Sequence, residues 1–266
     1  MKPLSELPVE TAQRLVGVFC DIDDTLTWEG QLVPEAFLAL HRARAAGLRV
    51  VPVTGRPAGW VDHIARMWPV DGVVGENGGL WFYRAGGRMV RRFAQPADER
   101  AAHRQRLEAV GRRILAEVPG TALASDQPYR ELDLAVDFRE DVPPLDEASI
   151  DAIVARFEEA GATCKVSSIH VNGWFGDFDK LSGCRAFVAD RWGEDLEATA
   201  DRWSYVGDSA NDEPMFARFP VSVGVANVRG FLHRMTSWPR YVCEAQGGLG
   251  FAELVDRVCA LRAAAR

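Results

Sequence analysis

Residues 15–26 read Leu-Val-Gly-Val-Phe-Cys-Asp-Ile-Asp-Asp-Thr-Leu. The first six residues are apolar or glycine, and the run ends abruptly at Asp21, which is typical of a buried parallel strand. Two carboxylates, Asp21 and Asp23, thus follow the strand directly, where open α/β sheets bind their ligands. Aspartate and threonine also begin ordinary turns, so this segment alone leaves a reactive site and a simple loop both open.

Helical and extended patterns alternate after this segment. Residues 34–46 have helical spacing that ends before Gly47, and residues 48–53 form a second apolar run, which completes a βαβ unit. The pattern also predicts a helix over 60–68, a strand over 72–75 and a hairpin of 80–83 with 89–93. The first strand is therefore expected to lie in a parallel sheet.

The middle of the chain follows another pattern, helix-strand-strand, twice over. It predicts helices over 98–118 and 146–160 and strands over 121–124, 132–138, 163–167 and 169–175. The first pattern then returns, with helices over 181–192, 213–219 and 250–264 and strands over 203–206 and 221–225. The predicted fold class is α/β, a doubly wound parallel (Rossmann-like) core sheet with an inserted smaller α/β domain. The expected boundaries are 1–93 and 176–266 for the core domain and 94–175 for the inserted domain.

The amino-acid composition of the chain argues against some classes of binding partner. With 47% hydrophobic and 26% charged residues among 266, the chain has the make-up of a soluble globular protein. Its net charge of -7 argues against a nucleic-acid partner, and no apolar stretch approaches the roughly 20 residues that span a membrane. The five cysteines form no metal-ligand spacing and are expected to be reduced thiols of a cytoplasmic protein. The protein is expected to be a monomer or a homodimer.

Polar residues also follow two other predicted core strands. Thr54 and Gly55 follow the strand over 48–53 and offer a hydroxyl and backbone N–H groups to a phosphate. Residues 207–212 read Gly-Asp-Ser-Ala-Asn-Asp and follow the strand over 203–206. Because the carboxyl ends of parallel strands share one edge, these segments are expected to converge on Asp21, although each alone also fits a turn.

The predicted site would hold four carboxylates, those of Asp21, Asp23, Asp208 and Asp212. They would repel one another and an anionic substrate unless a hard cation lay among them, and Mg²⁺ suits a set of carboxylates, waters and phosphate oxygens. A carboxylate can attack phosphorus to form an aspartyl-phosphate, while a second carboxyl group protonates the leaving oxygen and later activates water. Lys180, at the start of the helix after the insertion, could offset phosphate charge, although a lone lysine is usually a surface residue.

Together these segments resemble the four motifs of the haloacid dehalogenase superfamily, in the same order. The resemblance implies that Asp21 is the nucleophile, Asp23 the general acid/base, and Thr54 and Lys180 ligands of the phosphate. It further implies that Mg²⁺ is held by Asp21, Asp208 and the backbone carbonyl of Asp23, with support from Asp212. An acid at Asp23 favours a phosphatase or phosphomutase within the superfamily. Three further residues are expected to contact the substrate beside these motifs: Gly55, Arg56 and Asn211.

The inserted domain resembles the α/β cap of the Cof-type, sugar-phosphatase-like subgroup (subfamily IIB), in which the cap sets specificity. Strand alternation places His170, Asn172 and Trp174 on one side of the last cap strand. We expect this face to cover the active site and bind the organic part of the substrate, although antiparallel sheets often have one solvated face. Asn77, in Glu76-Asn77-Gly78-Gly79, is expected either to contact substrate or to form a type I′ turn.

These expectations add up to a Mg²⁺-dependent phosphatase that hydrolyses a small phosphorylated metabolite. The polar groups on the cap face favour a sugar or polyol phosphate. Two alternatives stay open at this stage, a sugar phosphomutase of the same superfamily and a non-catalytic sugar-phosphate sensor. Release of phosphate, its transfer to another hydroxyl, or binding without turnover would separate the three.

Overall fold

The structure is a computed structural model that describes residues 1–264. Its strands are β1 (Lys2–Pro3), β2 (Gly17–Cys20), β3 (Thr27–Trp28), β4 (Gln31–Leu32), β5 (Arg49–Pro52), β6 (Val73–Gly75), β7 (Leu80–Ala85), β8 (Arg88–Phe93), β9 (Ala122–Leu123), β10 (Asp133–Asp137), β11 (Thr163–Val166), β12 (His170–Trp174), β13 (Trp203–Gly207), β14 (Val221–Gly224) and β15 (Tyr241–Val242). Its α-helices are α1 (Val9–Arg14), α2 (Pro34–Ala45), α3 (Ala58–Met67), α4 (Ala97–Glu117), α5 (Glu147–Glu159), α6 (Lys180–Trp192), α7 (Leu196–Thr199), α8 (Glu213–Arg218) and α9 (Gly247–Ala263).

The core is a parallel sheet with the strand order β1-β15-β14-β13-β2-β5. Every residue of β2, β13 and β14 is buried, because helices cover both faces of the sheet and leave no solvated side. The order of strands reverses at β2, which lies between β13 and β5. This is the point at which doubly wound sheets bind ligands, and the predicted fold class is confirmed.

A smaller antiparallel sheet, in the order β11-β12-β10-β9, lies in the middle segment of the chain. Helices α4 and α5 pack on one of its faces through a separate apolar cluster that includes Ile114, Leu134, Val136 and Phe157. The segment has the predicted helix-strand-strand repeat, and we refer to it as the cap. Strands β6, β7 and β8 form a third sheet that continues from the core at the bridge between Val53 and Val74.

A single core carboxylate joins the cap to the core through the cap's backbone. Glu76 is fully buried and accepts hydrogen bonds from four backbone N–H groups, one on the core helix α3 and three in the cap. The donors are those of Ala58, Glu131, Leu132 and Asp133. Because both carboxylate oxygens accept, these buried backbone donors on the two sides of the junction are all paired.

No α-helix within residues 1–264 combines the length and the hydropathy needed to cross a membrane.

Candidate active site

The loops after β2, β5 and β13 meet at one edge of the core sheet. Asp21 follows β2, Thr54 follows β5, and Asp208 follows β13. Since β2 is hydrogen-bonded to both of the other strands, the three side chains lie next to one another, and all three are almost fully buried. The convergence expected from the strand ends is therefore present in the structure.

Lys180 occupies the centre of this group. Its Nζ lies 3.1 Å from Oδ1 of Asp21 and donates to Oδ1 of Asp212 at 2.7 Å. Helix α6 begins at Lys180, and its start is fixed by a capping box in which the Asp179 carboxylate accepts from the N–H of Ser182. The ammonium is therefore held at a defined point between two carboxylates, and their charges raise the pKa of Lys180 despite its burial.

Asp212 lies behind this pair with both carboxylate oxygens occupied. One oxygen accepts from Lys180 and from the hydroxyl of Tyr205, and the other accepts from the N–H groups of Asp208 and Ser209. Its position fits a residue that orients Lys180 and the loop carrying Asp208. The sequence analysis did not identify Tyr205, whose only signal was a tyrosine inside a strand buried on both faces.

The donor set of Asp21, Asp208 and Asp212 fits a hard cation. Carboxylate oxygens from all three lie within 4.8 Å of one another. Burial, followed by the charges of Asp212 and Asp21, raises the pKa of Asp208 well above its ordinary value. Burial likewise raises the pKa of Asp21 to about 8, despite the opposing effect of Lys180. A buried carboxylate that lacks enough positive partners is suited to binding Mg²⁺.

Asp208 is held from two further directions. The hydroxyl of Thr25 donates to its Oδ1 at 3.3 Å, and the side-chain amide of Asn227 lies 3.5 Å from its Oδ2. The same amide donates at 3.0 Å to the carbonyl of Asp24, which adopts a left-handed backbone conformation with φ of 54°. Asn227 is a second residue that the sequence analysis missed, because it lies outside the motifs in a 3-10 helix.

Arg56 is paired with carboxylates on both sides of the site. Its Nη2 donates to Oδ1 of Asp23 at 2.8 Å and to Oε1 of Glu140, in the cap, at 2.6 Å. Arg56 therefore holds the predicted acid/base residue in one orientation. As a substrate contact, which is its predicted role, it would act from within this ion-pair network.

The predicted cap face lies partly over the site. The Nε2 atom of His170 is 2.9 Å from Oε2 of Glu140, and hydrogen bonds from His170 and Arg56 lower the pKa of Glu140 to about 2, although burial opposes this. Asn172 donates to Asp133 at 2.9 Å. Trp174 shares this side of β12 but, contrary to our expectation, does not line the space over the site. Its fully buried ring stacks on Phe178, where the chain returns to the core.

Three other predicted contact residues border the same space. Gly55 lies against Asn77 and Asn172, so closely that a Cβ at this position would lie 3.2 Å from Nδ2 of Asn77. Asn77 has a left-handed backbone and a buried Nδ2 that has no hydrogen-bond partner among residues 1–264. A buried donor of this kind is satisfied when a ligand oxygen binds beside it. Asn211 lies across the site and accepts from the hydroxyl of Ser209 at 3.0 Å.

The space between core and cap is small and polar. Its volume open to a water-sized molecule is about 10 Å³, and it is lined by Asp21, Asp23, Gly55, Arg56, Ser167, Ser168, Ile169, His170, Asn172, Ser209 and Asn211. Ser167, Ser168 and Asn211 also line a wider cleft of about 480 Å³ between cap and core. The predicted catalytic residues Asp21 and Asp23 thus line a confined chamber.

Comparisons with known proteins agree with this architecture. A family described as haloacid dehalogenase-like hydrolase matches residues 18–107. The chain is 29% identical over 243 residues to a phosphoglycolate phosphatase of Pyrobaculum neutrophilum, a match that covers 90% of this chain and 93% of that protein.

Two solved structures share the fold. One is a HAD/COF-like hydrolase from Plasmodium vivax (TM-score 0.68, 18% identity, 96% of this chain and 100% of that chain covered). The other is the sucrose-phosphatase of Synechocystis sp. PCC6803 in complex with sucrose and phosphate (TM-score 0.64, 15% identity, 92% and 98% covered). The four motifs thus lie at one edge of the core sheet of a chain that is similar to haloacid dehalogenase-like hydrolases over residues 18–107 and shares the fold of these two structures.

Proposed function

We propose that the protein is a Mg²⁺-dependent phosphomonoesterase that acts on a small phosphorylated metabolite through an aspartyl-phosphate formed on Asp21. The observation that carries the proposal is the buried set of Asp21, Lys180, Asp208 and Asp212 at the strand ends. A protein that only binds phosphate needs neither a nucleophile beside a lysine nor a second carboxyl group two residues after that nucleophile.

The roles of the residues follow from their positions. A carboxylate oxygen of Asp21 attacks phosphorus, while the ammonium of Lys180 and the hydroxyl of Thr54 offset charge on the phosphoryl oxygens. Asp23 gives a proton to the departing alcohol and takes one from the water that cleaves the aspartyl-phosphate. Arg56 restrains the orientation of the Asp23 carboxylate during both steps.

The metal would be held by Asp21, Asp208 and the backbone carbonyl of Asp23, with Asp212 in support. Bound Mg²⁺ supplies Lewis-acid stabilisation of the charge on the phosphoryl group. Its positive charge would also offset the buried carboxylates of Asp21 and Asp208, whose pKa values are raised by burial.

The chamber supports a small and strongly polar substrate. Its lining offers an imidazole, amides, hydroxyls and a guanidinium, which are hydrogen-bonding groups suited to a polar ester. Because a relative at 29% identity is a phosphoglycolate phosphatase, 2-phosphoglycolate belongs beside the small sugar and polyol phosphates as a first candidate.

The direct test is phosphate release from a panel of these esters, together with a nucleotide and a small aryl phosphate, in Mg²⁺ and in chelator. We expect turnover of at least one small ester in Mg²⁺ and a loss of about 100-fold or more in chelator, reversed when Mg²⁺ is restored. Hydrolysis that continues unchanged in chelator would contradict the proposed metal dependence.

The cap face makes a second prediction. His170→Ala and Asn172→Ala should each raise KM for the preferred substrate about tenfold, the effect of losing one hydrogen bond to it, with little change for an aryl phosphate. His41→Ala, which alters an exposed histidine on α2, is the matched control. An unchanged KM for the preferred substrate in both cap variants would show that this face does not bind it.

A further inference from the structure

Arg130 is a fully buried arginine of the cap with partners on both sides of the junction. Within the cap, its guanidinium donates to the carboxylates of Asp126 and Asp133 at 3.0 Å. Across the junction, its Nη1 donates to the backbone carbonyl of Gly55 at 2.8 Å. This carbonyl lies in the middle of Thr54-Gly55-Arg56, the segment that we refer to as the phosphate loop.

The carbonyl of Gly55 and the N–H of Arg56 belong to one peptide unit. Because that unit is planar and trans, the two groups point in opposite directions, and fixing one fixes the other. The N–H of Arg56 donates to the hydroxyl oxygen of Thr54 at 3.0 Å. With its oxygen accepting this bond, the hydroxyl of Thr54 keeps its own proton for another acceptor. The hold of Arg130 on Gly55 thus sets the direction of the donor that Thr54 presents.

Two further contacts connect Arg130 with the chamber. Asp133, one of its partners, accepts from the side chain of Asn172, and Asp126, the other, accepts from Arg56 at 3.4 Å. Both Asn172 and Arg56 line the chamber. One cap guanidinium is therefore linked by hydrogen bonds to the phosphate loop and to two residues of the chamber wall.

We infer that Arg130 is a positioning residue of the phosphate loop, so that the core acquires its phosphate-binding geometry only when the cap is seated on it. The inference rests on the proposed function and extends it. A residue of the cap then affects binding of the phosphoryl group, which every substrate has. Its loss affects even an ester too small to contact His170 or Asn172.

The alternative for Arg130 is a purely structural role. It has support, because Arg130 lies among the buried carboxylates of Asp126, Asp133 and Glu76, and its removal leaves them without a counter-charge. The test therefore starts from Arg130→Lys. Lysine keeps the positive charge beside these carboxylates. Its single ammonium, however, replaces the planar guanidinium that donates to Asp126, Asp133 and Gly55 together.

We expect Arg130→Lys to lower kcat/KM for a small aryl phosphate by about 10- to 100-fold, at a temperature where the variant is fully folded. Binding of inorganic phosphate should weaken in parallel. Arg113→Lys, which alters an exposed cap arginine paired with Glu117 and Glu159, should behave as wild type. If Arg130→Lys unfolds below the assay temperature, Arg130→Met with Asp126→Asn and Asp133→Asn removes the guanidinium together with the two carboxylates that accept its hydrogen bonds, and it should show the same loss.

A double-mutant cycle with Thr54→Val completes the test. If Arg130 acts through Thr54, Arg130→Lys should cost less than about threefold in the Thr54→Val background, because the coupled effects do not add. Full additivity, or wild-type kcat/KM in folded Arg130→Lys, would overturn the inference and leave the proposed function intact. A wild-type protein that hydrolyses no ester would overturn the proposed function, and this inference with it.

Discussion

Asp21→Asn is expected to lower phosphate release by about 10⁴-fold or more, because an amide cannot form the aspartyl-phosphate. The substitution keeps the size and shape of the side chain, so the neighbouring packing is retained. The measurement is single-substrate turnover with the preferred ester, together with a search for phosphate covalently bound to the wild-type protein. Asp201→Asn, at an exposed position before the start of β13 and so at the opposite end of that strand from Asp208, is the control and should keep full activity. Substantial turnover by pure Asp21→Asn would remove Asp21 from its proposed role.

The same variant should be at least as stable as the wild type in chelator. Burial raises the pKa of Asp21 from 3.8 to about 8, so the folded protein holds this proton more tightly than the unfolded chain. The group therefore disfavours folding increasingly as the pH rises from about 4 to about 8, and asparagine has no such titration. Thermal unfolding at pH 5 and pH 8 should show a smaller decrease in Tm for the variant than for the wild type.

Lys180→Met is expected to reduce both stability and activity strongly. Lys180 is 3% exposed and is the ammonium shared by Asp21 and Asp212, so its removal leaves buried carboxylates without their partner. Losing one member of a buried ionic set costs about 3–5 kcal/mol of unfolding free energy. The pKa of Lys180 is raised in the folded state, so the stabilisation is fully present below the ordinary lysine pKa and is lost only at higher pH.

Denaturant unfolding at pH 7, with and without Mg²⁺, checks this prediction. A bound cation offsets part of the carboxylate charge, so Mg²⁺ should stabilise Lys180→Met more than it stabilises the wild type. Lys2→Met alters a lysine on the exposed edge strand β1 and is the matched control. An unfolding free energy equal to that of the wild type would show that Lys180 does not hold these carboxylates.

Much of the core could be predicted from the sequence because its signals are local. Apolar runs that end at Asp21, Thr54 and Gly207 mark strands buried on both faces, and parallel strands necessarily bring such ends to one edge of a sheet. The predicted helices begin and end within a few residues of the expected positions, whereas the short helices α1 and α7 were not predicted. What escaped were short elements with no apolar period, such as β1, β15 and the 3-10 helix that carries Asn227.

The contacts between cap and core could not be predicted in the same way. Alternation along β12 correctly placed His170 and Asn172 on one side, but it could not show that the strand extends beyond the chamber, so that Trp174 packs on Phe178. Likewise, nothing local to Arg56 indicates that its partners are Asp23 and the distant Glu140. These pairings depend on how the cap and the core pack against each other, which the local sequence pattern does not contain.

The junction at Glu76 bears on how such a protein can diversify. Its carboxylate contacts the cap only through backbone N–H groups, which every residue except proline possesses. These hydrogen bonds follow the backbone path of the cap chain at 131–133, while the side chains of Leu132 and Asp133 make separate buried contacts. Mutations can rewrite the cap surface and select a new metabolite while this attachment survives unaltered. The substrate preference of the cap can therefore change during evolution while the catalytic residues of the core stay the same.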